Sequence, residues 1–215
     1  MNLKNHNSKN RYVSYSEVSC FYERGAEEYY KRYILGISEK PSEPMIFGLI
    51  VHSILNDKNY NWQEEIKKLT KKPQDNYIRV IEKIISSVPT CEKSELKLFA
   101  NTELGFSLFA GIDGYNENEV LTEYKTGASI WEQSKVNETE QITHYLLTWK
   151  YAGNQELPFR LISISSANGK YKEFRTYRTK EQIETYKQKL IQFKKDLEKL
   201  NFWEHKAQFK NRIQL

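Results

Sequence analysis

Apolar residues recur at helical spacing through the first third of the chain and at strand spacing beyond it. Ser14-Tyr15-Ser16-Glu17 predicts a helix start, with Ser14 as N-cap and Glu17 at the third helical position of a capping box. Val18, Phe21, Tyr22, Tyr29, Tyr30 and Tyr33 carry that helix to about Leu35, where Gly36 stops it. A Pro- and Ser-containing loop, Lys40–Pro44, leads to an apolar helix over Met45–Leu55 with one histidine, His52. Trp62–Leu69 and Tyr77–Ile85 keep helical spacing. The period then changes. Glu95–Ala100 alternates strictly, and Phe106–Tyr115 and Glu119–Lys125 follow as strands joined by the turn Asn116-Glu117-Asn118. Asn137 predicts an N-cap with Glu140 three residues on, for a helix carrying Ile142, Tyr145, Leu146 and Trp149 and closed by Gly153. Phe159–Ser165 and Tyr171–Tyr177 are strands about an Asn168-Gly169 hairpin turn. Thr179–Leu200 is a long charged helix with Ile183, Tyr186, Leu190, Phe193 and Leu197 on one stripe. Helices, three strands, helix, two strands, helix is the order of an α/β domain with one sheet flanked by helices.

Composition narrows the class without naming a chemistry. At 215 residues, 39% hydrophobic and 28% charged, the chain suits one soluble globular core. No repeat or linker divides it, so residues 12–215 are expected to form a single domain: a helical part over about 12–90 and a sheet-and-helix core over about 94–200. Met1–Asn10 is polar and lacks the apolar centre of a secretory signal; residues 1–11 are expected to be a flexible tail. No run of 18 apolar residues predicts a membrane span. The net charge of +5 permits a polyanionic partner but does not demand one. Cys20 and Cys91 are too few for a disulfide scaffold, a cysteine-only zinc site or an iron–sulfur cluster. Both are expected to be buried thiols in a reducing cytoplasm.

Candidate chemistry gathers on the two middle strands. Tightly joined antiparallel strands bring Asp113 and Glu123 together near one end of the sheet. Glu123 and Lys125, two apart on one strand, project to the same face while Tyr124 points away. Two carboxylates and an ammonium on one patch are what a hard divalent cation and phosphodiester cleavage require. His52 adds an imidazole from an apolar helix, with Gly48 one turn earlier allowing close backbone approach. Gln141 and Tyr145 share a helix face, and Thr126-Gly127 lets the chain leave its strand sharply. Each feature also has a plain reading: a surface ion pair, a satisfied core histidine, a core tyrosine and a surface glutamine. The aromatic residues of the first helix suit core packing or base stacking. The pairs Lys67-Lys68 and Lys71-Lys72 suit a solvated face or phosphate contacts.

Taken in order, Gly48-Leu49-Ile50-Val51-His52, Gly111-Ile112-Asp113, Glu123-Tyr124-Lys125-Thr126-Gly127 and Gln141-Ile142-Thr143-His144-Tyr145 resemble the PD-(D/E)xK nuclease superfamily, in its RecB-like branch. The resemblance spans about Tyr12 to Tyr177. It implies a restriction-endonuclease-like core, with a mixed central sheet flanked by helices and a helical N-terminal third. By that resemblance His52, Asp113, Glu123 and the backbone carbonyl of Tyr124 would bind Mg²⁺ or Mn²⁺. Lys125 would position the attacking water, and Gln141 and Tyr145 would support Lys125 and the substrate strand. Some relatives carry four iron–sulfur cysteines; here Gly25-Ala26 stands where the first is often found and Phe202–Leu215 has none, so no cluster is expected. No nucleotide-binding Gly-x-x-x-x-Gly-Lys-Ser/Thr accompanies the motifs. The implied activity is a cytoplasmic or nucleoid-associated, metal-dependent deoxyribonuclease. It would be an exonuclease on single strands or duplex ends, serving repair, recombination or phage and mobile-element DNA processing, with a partner protein in such a complex. Two alternatives remain: a catalytically silent nucleic-acid-binding or scaffold protein on the same fold, and an interaction protein with no nucleic-acid role.

Overall fold

One mixed sheet separates the apolar residues of this chain into two cores, and the order of its strands decides where a gap opens between them. The structure, a computed structural model, describes residues 12–57, 59–70, 73–117 and 119–202. The expected tail, Lys71-Lys72 and Asn118 of the expected turn lie outside these residues. Strands β1 (Tyr12–Ser14), β2 (Lys93–Asn101), β3 (Ser107–Asn116), β4 (Val120–Gly127), β5 (Phe159–Ser165) and β6 (Tyr171–Thr176) form the sheet. β2 lies antiparallel along one edge of β3. The other edge of β3 is shared: β1 pairs with it in parallel at residues 107–109, and β4 antiparallel at 114–116. Between them, residues 110–113 have no strand partner on that edge. β4 runs parallel to β5 from Leu121 to Gly127, and β6 closes the order antiparallel to β5.

On one face lie α3 (Glu43–Asn56), α4 (Trp62–Glu65, continued by the 3₁₀ turn Ile66–Lys68) and α5 (Gln74–Ser87). Phe47, Ile50, Ile54, Ile81 and Ile84 from these helices bury Tyr124, Ile162 and Ile164 of the sheet. On the other face lie α1 (Tyr15–Ser19), α2 (Ala26–Tyr29), α6 (Gln133–Glu138), α7 (Glu140–Tyr151) and α8 (Lys180–Lys199). Ile142 and Tyr145 of α7 pack on Ile112, Leu121 and Leu161, while the α8 stripe Tyr186, Leu190, Phe193 and Leu197 covers Val13, Phe106 and Leu108. That stripe is the one expected from the spacing, and Thr179 caps α8 in a reciprocal capping box with Gln182.

Several expectations change in detail. The first helix is two: α1 and α2 each close in a π-helical turn, Cys20–Arg24 and Tyr30–Ile34, and Gly25 at φ +90° breaks the chain between them. Aromatic spacing alone carries across this break, because Phe21 and Tyr29 still meet edge-on against Phe193. Ser14 is the N-cap position, but its side chain bonds the Glu17 carboxylate instead of a backbone N–H. Asn137 is not an N-cap. It lies inside α6, where its side-chain oxygen accepts from Thr176 and Gln133, and the extended backbone of Thr139 starts α7. Arg178 fixes that junction by donating to the carbonyls of Val136 and Thr139 and to the Thr143 hydroxyl. The three-residue strand β1 is too short to show a period. Cys20 is buried as expected, but Cys91 is only half-buried, because it sits in the loop before β2 beside the Tyr124 hydroxyl and Arg160.

His144, on α7, is fully buried. Its Nε2 lies 2.9 Å from the Phe109 carbonyl, where the β1 ladder ends, and its Nδ1 lies 3.0 Å from the Tyr186 hydroxyl. A carbonyl can only accept, so Nε2 carries the proton and Nδ1 accepts from Tyr186. Burial pushes the imidazole pKa down from 6.5 to about 4. An unfolded histidine takes up a proton that the folded one refuses, so stability should fall as pH drops from about 6.5 to about 4, by about 3 kcal/mol at most. Urea midpoints for wild type and His144→Gln at neutral pH and near pH 4.5 measure this. The drop on acidification should be smaller in the variant; an equal drop in both would mean that His144 carries none of it.

Candidate active site

Asp113 sits where the ladders around β3 are interrupted. The β2–β3 register runs through Ser94↔Gly114 and Leu96↔Ile112 but omits Glu95 opposite Asp113, and Glu95 has a left-handed φ of +53°. The alternation of faces slips here. Ile112 packs on the α7 side, yet so does Tyr115 three residues later, its ring 5.5 Å from that of Trp149. The slip is shared by β2: Leu96 packs on the α7 side, whereas Ser94 reaches the α3 backbone at Asn56. Such local breaks re-aim a side chain out of the regular pleat. Here they re-aim Tyr115 and Ser94, while Asp113, next to Ile112, falls on the α3 face by ordinary alternation. Asp113 Oδ1 lies 2.7 Å from His52 Nε2, and Oδ2 accepts the Tyr124 N–H at 2.8 Å, standing in for a backbone carbonyl where the β3–β4 ladder ends.

His52 gets there because α3 lies against β4. A Cβ on Gly48 would come within 2.9 Å of Thr126 Oγ1, so only glycine permits this approach without displacing the threonine, as expected from its place one turn before His52. The Asp113 carboxylate raises the His52 pKa above its ordinary value, against the opposing effect of burial.

Glu123 and Lys125 project to the α7 face, as their spacing predicts. Glu123 is 4% exposed. Its Oε1 accepts from Lys125 Nζ at 2.6 Å and from Gln141 Nε2 at 2.9 Å, and Gln141 Nε2 also lies 2.7 Å from the Tyr145 hydroxyl. Gln141 thus joins this cluster directly, and Tyr145 is a buried core residue hydrogen-bonded to it. Glu123 Oε2 is buried with no hydrogen-bond partner among the described residues. Burial holds the Glu123 carboxyl well above the ordinary carboxylate range; Lys125 and His52 pull it back, and the Asp113 charge adds to the rise. Burial also works against the Lys125 ammonium, but Glu123 beside it lifts its pKa above the usual lysine value.

The sequence placed these groups on one patch; the structure builds them as two pairs. His52–Asp113 comes from the α3 side and Glu123–Lys125 from the α7 side, and they feel one another's charge through the gap between β3 and β4. Among the described residues no three His, Cys, Asp or Glu side chains already converge as a ready-made metal cage. The donor chemistry nevertheless fits a hard cation: two carboxylates, one imidazole and an unpartnered buried Glu123 oxygen that a cation would satisfy.

Three neighbours were not singled out by the sequence. Asn56, one turn after His52, places Nδ2 3.2 Å from His52 Nδ1. Tyr15 stands close enough to Lys125 and Glu140 for their charges to act on its hydroxyl. Glu95 faces His52 electrostatically from the interrupted ladder. The i, i+4 spacing could have pointed to Asn56; a left-handed Glu95 leaves no mark in a sequence. Lys67 and Lys68 lie away on α4's 3₁₀ turn, exposed and paired with Glu64 and Glu65.

No protein-family model matches the chain, and no curated protein matches it. Solved structures do match. Among them is the crystal structure of a "putative exonuclease" from Eubacterium rectale, with a TM-score of 0.64 over 93% of this chain and 82% of that one, at 14% identity. The two chains share a fold.

Lys125→Met should move the Glu123 carboxyl titration to higher pH, because the lysine charge is the largest effect opposing burial. A ¹³C-detected carboxyl titration of metal-free protein reads it directly; an unmoved Glu123 signal would mean that the two groups are not paired in solution.

Proposed function

We propose that this chain is a Mg²⁺- or Mn²⁺-dependent deoxyribonuclease, an exonuclease that hydrolyses DNA phosphodiester bonds at strand ends. The carrying observation is a buried glutamate, Glu123, with one oxygen committed to Lys125 and the other unpartnered among the described residues, near enough to a His52–Asp113 pair for their charges to act on it. An interior carboxylate with no partner for one oxygen is costly unless something completes it in use. The shared fold with a protein described as an exonuclease points to the same class of substrate.

His52, Asp113 and Glu123 would hold the cation, with the Tyr124 carbonyl as a further ligand. Bound there, the cation would supply Lewis-acid polarisation of a phosphodiester and a more acidic water. Lys125 then contributes a fixed positive charge where negative charge develops on the phosphate, and its ammonium holds the attacking water by hydrogen bonding. Gln141 keeps Glu123 oriented through Oε1, and Tyr145 holds the Gln141 amide in that position. His52 and Asp113 fix one another at 2.7 Å, so neither ligand must be ordered when the site is used.

End-labelled single- and double-stranded DNA, with free and blocked termini, tests this in Mg²⁺ or Mn²⁺. Cleavage should depend on the cation and on a free end. Asp113→Ala should abolish it, and Lys125→Ala should slow it by about two to three powers of ten. Salt-dependent retention on DNA with no cleavage in either cation would favour the silent binding protein instead.

A further inference from the structure

We propose that Met45 and Leu49, exposed on the side of α3 that carries His52, form an apolar rest for the bases of an unpaired DNA strand whose phosphate lies at the candidate active site. This deepens the nuclease reading and rests on it.

Helical spacing puts the three side chains together. At about 100° per residue, Met45 lies about 20° and Leu49 about 60° from His52 around the α3 axis. Phe47, Ile50 and Ile54, which fill the core against α5 and β5, lie about 140° to 160° away. Met45 is 58% exposed and Leu49 61%, more than any other large apolar side chain on the described helices. His52 Nε2 meets Asp113 on β3, so this side of α3 looks toward β3, where residues 110–113 lack a strand partner on one edge. The stripe runs back from His52 by about 10 Å, at about 1.5 Å per residue. It passes Gly48, where α3 touches Thr126 near the end of β4.

A phosphodiester held beside His52, Asp113 and Glu123 brings its sugars and bases with it, so the surface next to those residues must receive them. Phosphate oxygens are matched by Lys125 and a cation. The part left over is the base, and every base offers an apolar face. Leu49 and His52 are neighbours at i, i+3, and Met45 and Leu49 at i, i+4, each pair about 5–6 Å apart at Cβ. The stripe is therefore continuous with the site at the scale of one or two nucleotides. In a duplex the base faces are covered by their neighbours, so only an unpaired strand can lay them on this helix. Neither side chain belongs to a core cluster, and a flexible thioether adapts to any ring. The contact would favour single strands or frayed ends without reading sequence.

Fluorescence anisotropy in EDTA, where no metal-dependent cleavage occurs, tests this with a short labelled single strand and the same strand made fully abasic. Wild type should bind the strand with bases about tenfold more tightly. Met45→Gln/Leu49→Gln should bind the two alike. Its dependence on salt should match wild type, because no phosphate contact is removed, and its urea midpoint should also match. In Mg²⁺, wild type should degrade single strands faster than blunt duplex, and the double variant should lose that preference. A wild type indifferent to the bases, or a double variant that keeps the full preference, would overturn the proposal. A wild-type dimer in light scattering that the double variant dissolves would also overturn it, assigning the face to a second copy of the chain. Base preference without cleavage would leave this inference standing and sink the nuclease reading; cleavage without base preference would do the reverse.

Discussion

A carboxylate buried in a protein interior must be neutralised or hydrogen-bonded, and Glu123 is the point at which this chain meets that demand. Its position on β4 is dictated by the sheet: β4 is paired with β5 from Leu121 to Gly127, which fixes the Glu123 backbone in the central ladder. The fold supplies Lys125 from the same strand and Gln141 from α7, and both go to one oxygen. The other oxygen is buried with no hydrogen-bond partner among the described residues, on a strand that borders the gap left where β1 and β4 share one edge of β3 without meeting. Topology therefore creates both the buried charge and the opening beside it.

The second half of the site stands beside a local irregularity. Asp113 faces α3 by alternation with Ile112, and it stands where the β2–β3 ladder skips a pair at Glu95 and the strands change phase. A non-glycine residue in the left-handed region mid-strand costs energy that a regular strand would not incur. Opposite it, the Asp113 carboxylate gains the Tyr124 N–H and the His52 ring. Helix α3 must lie close enough to deliver that ring, and the missing side chain at Gly48 allows it. Two layers on opposite faces of one sheet thus meet through a break in the sheet.

Much of this was legible in the sequence because it is written in spacing. Gly48 and His52 one helical turn apart, Glu123 and Lys125 two apart on a strand, and Gln141 and Tyr145 at i, i+4 are local facts, and the structure assembles them where the order of the motifs placed them. The long helix α8 and all the longer strands were legible for the same reason. What was hidden depends on contacts between distant segments. The three residues of β1 gain their strand geometry from β3, and Gly25 divides a helix whose aromatic period runs on unbroken. Thr139 displaces Asn137 as a cap because Arg178, more than thirty residues away, takes the carbonyls at the junction. The division of the site into two pairs follows from alternation on two different strands, Asp113 opposite in face to Ile112 and Glu123 opposite in face to Tyr124, which depends on how β3 and β4 are set against the helices.

The central claim is that these two pairs are the metal-free form of one cation site. Anomalous diffraction from a crystal soaked in Mn²⁺ tests it most directly. The expected result is a peak in the β3–β4 gap ligated by His52, Asp113 and Glu123, with Glu123 Oε2 among its contacts. A peak held by only one of those side chains, or none in the gap at saturating Mn²⁺, would contradict it.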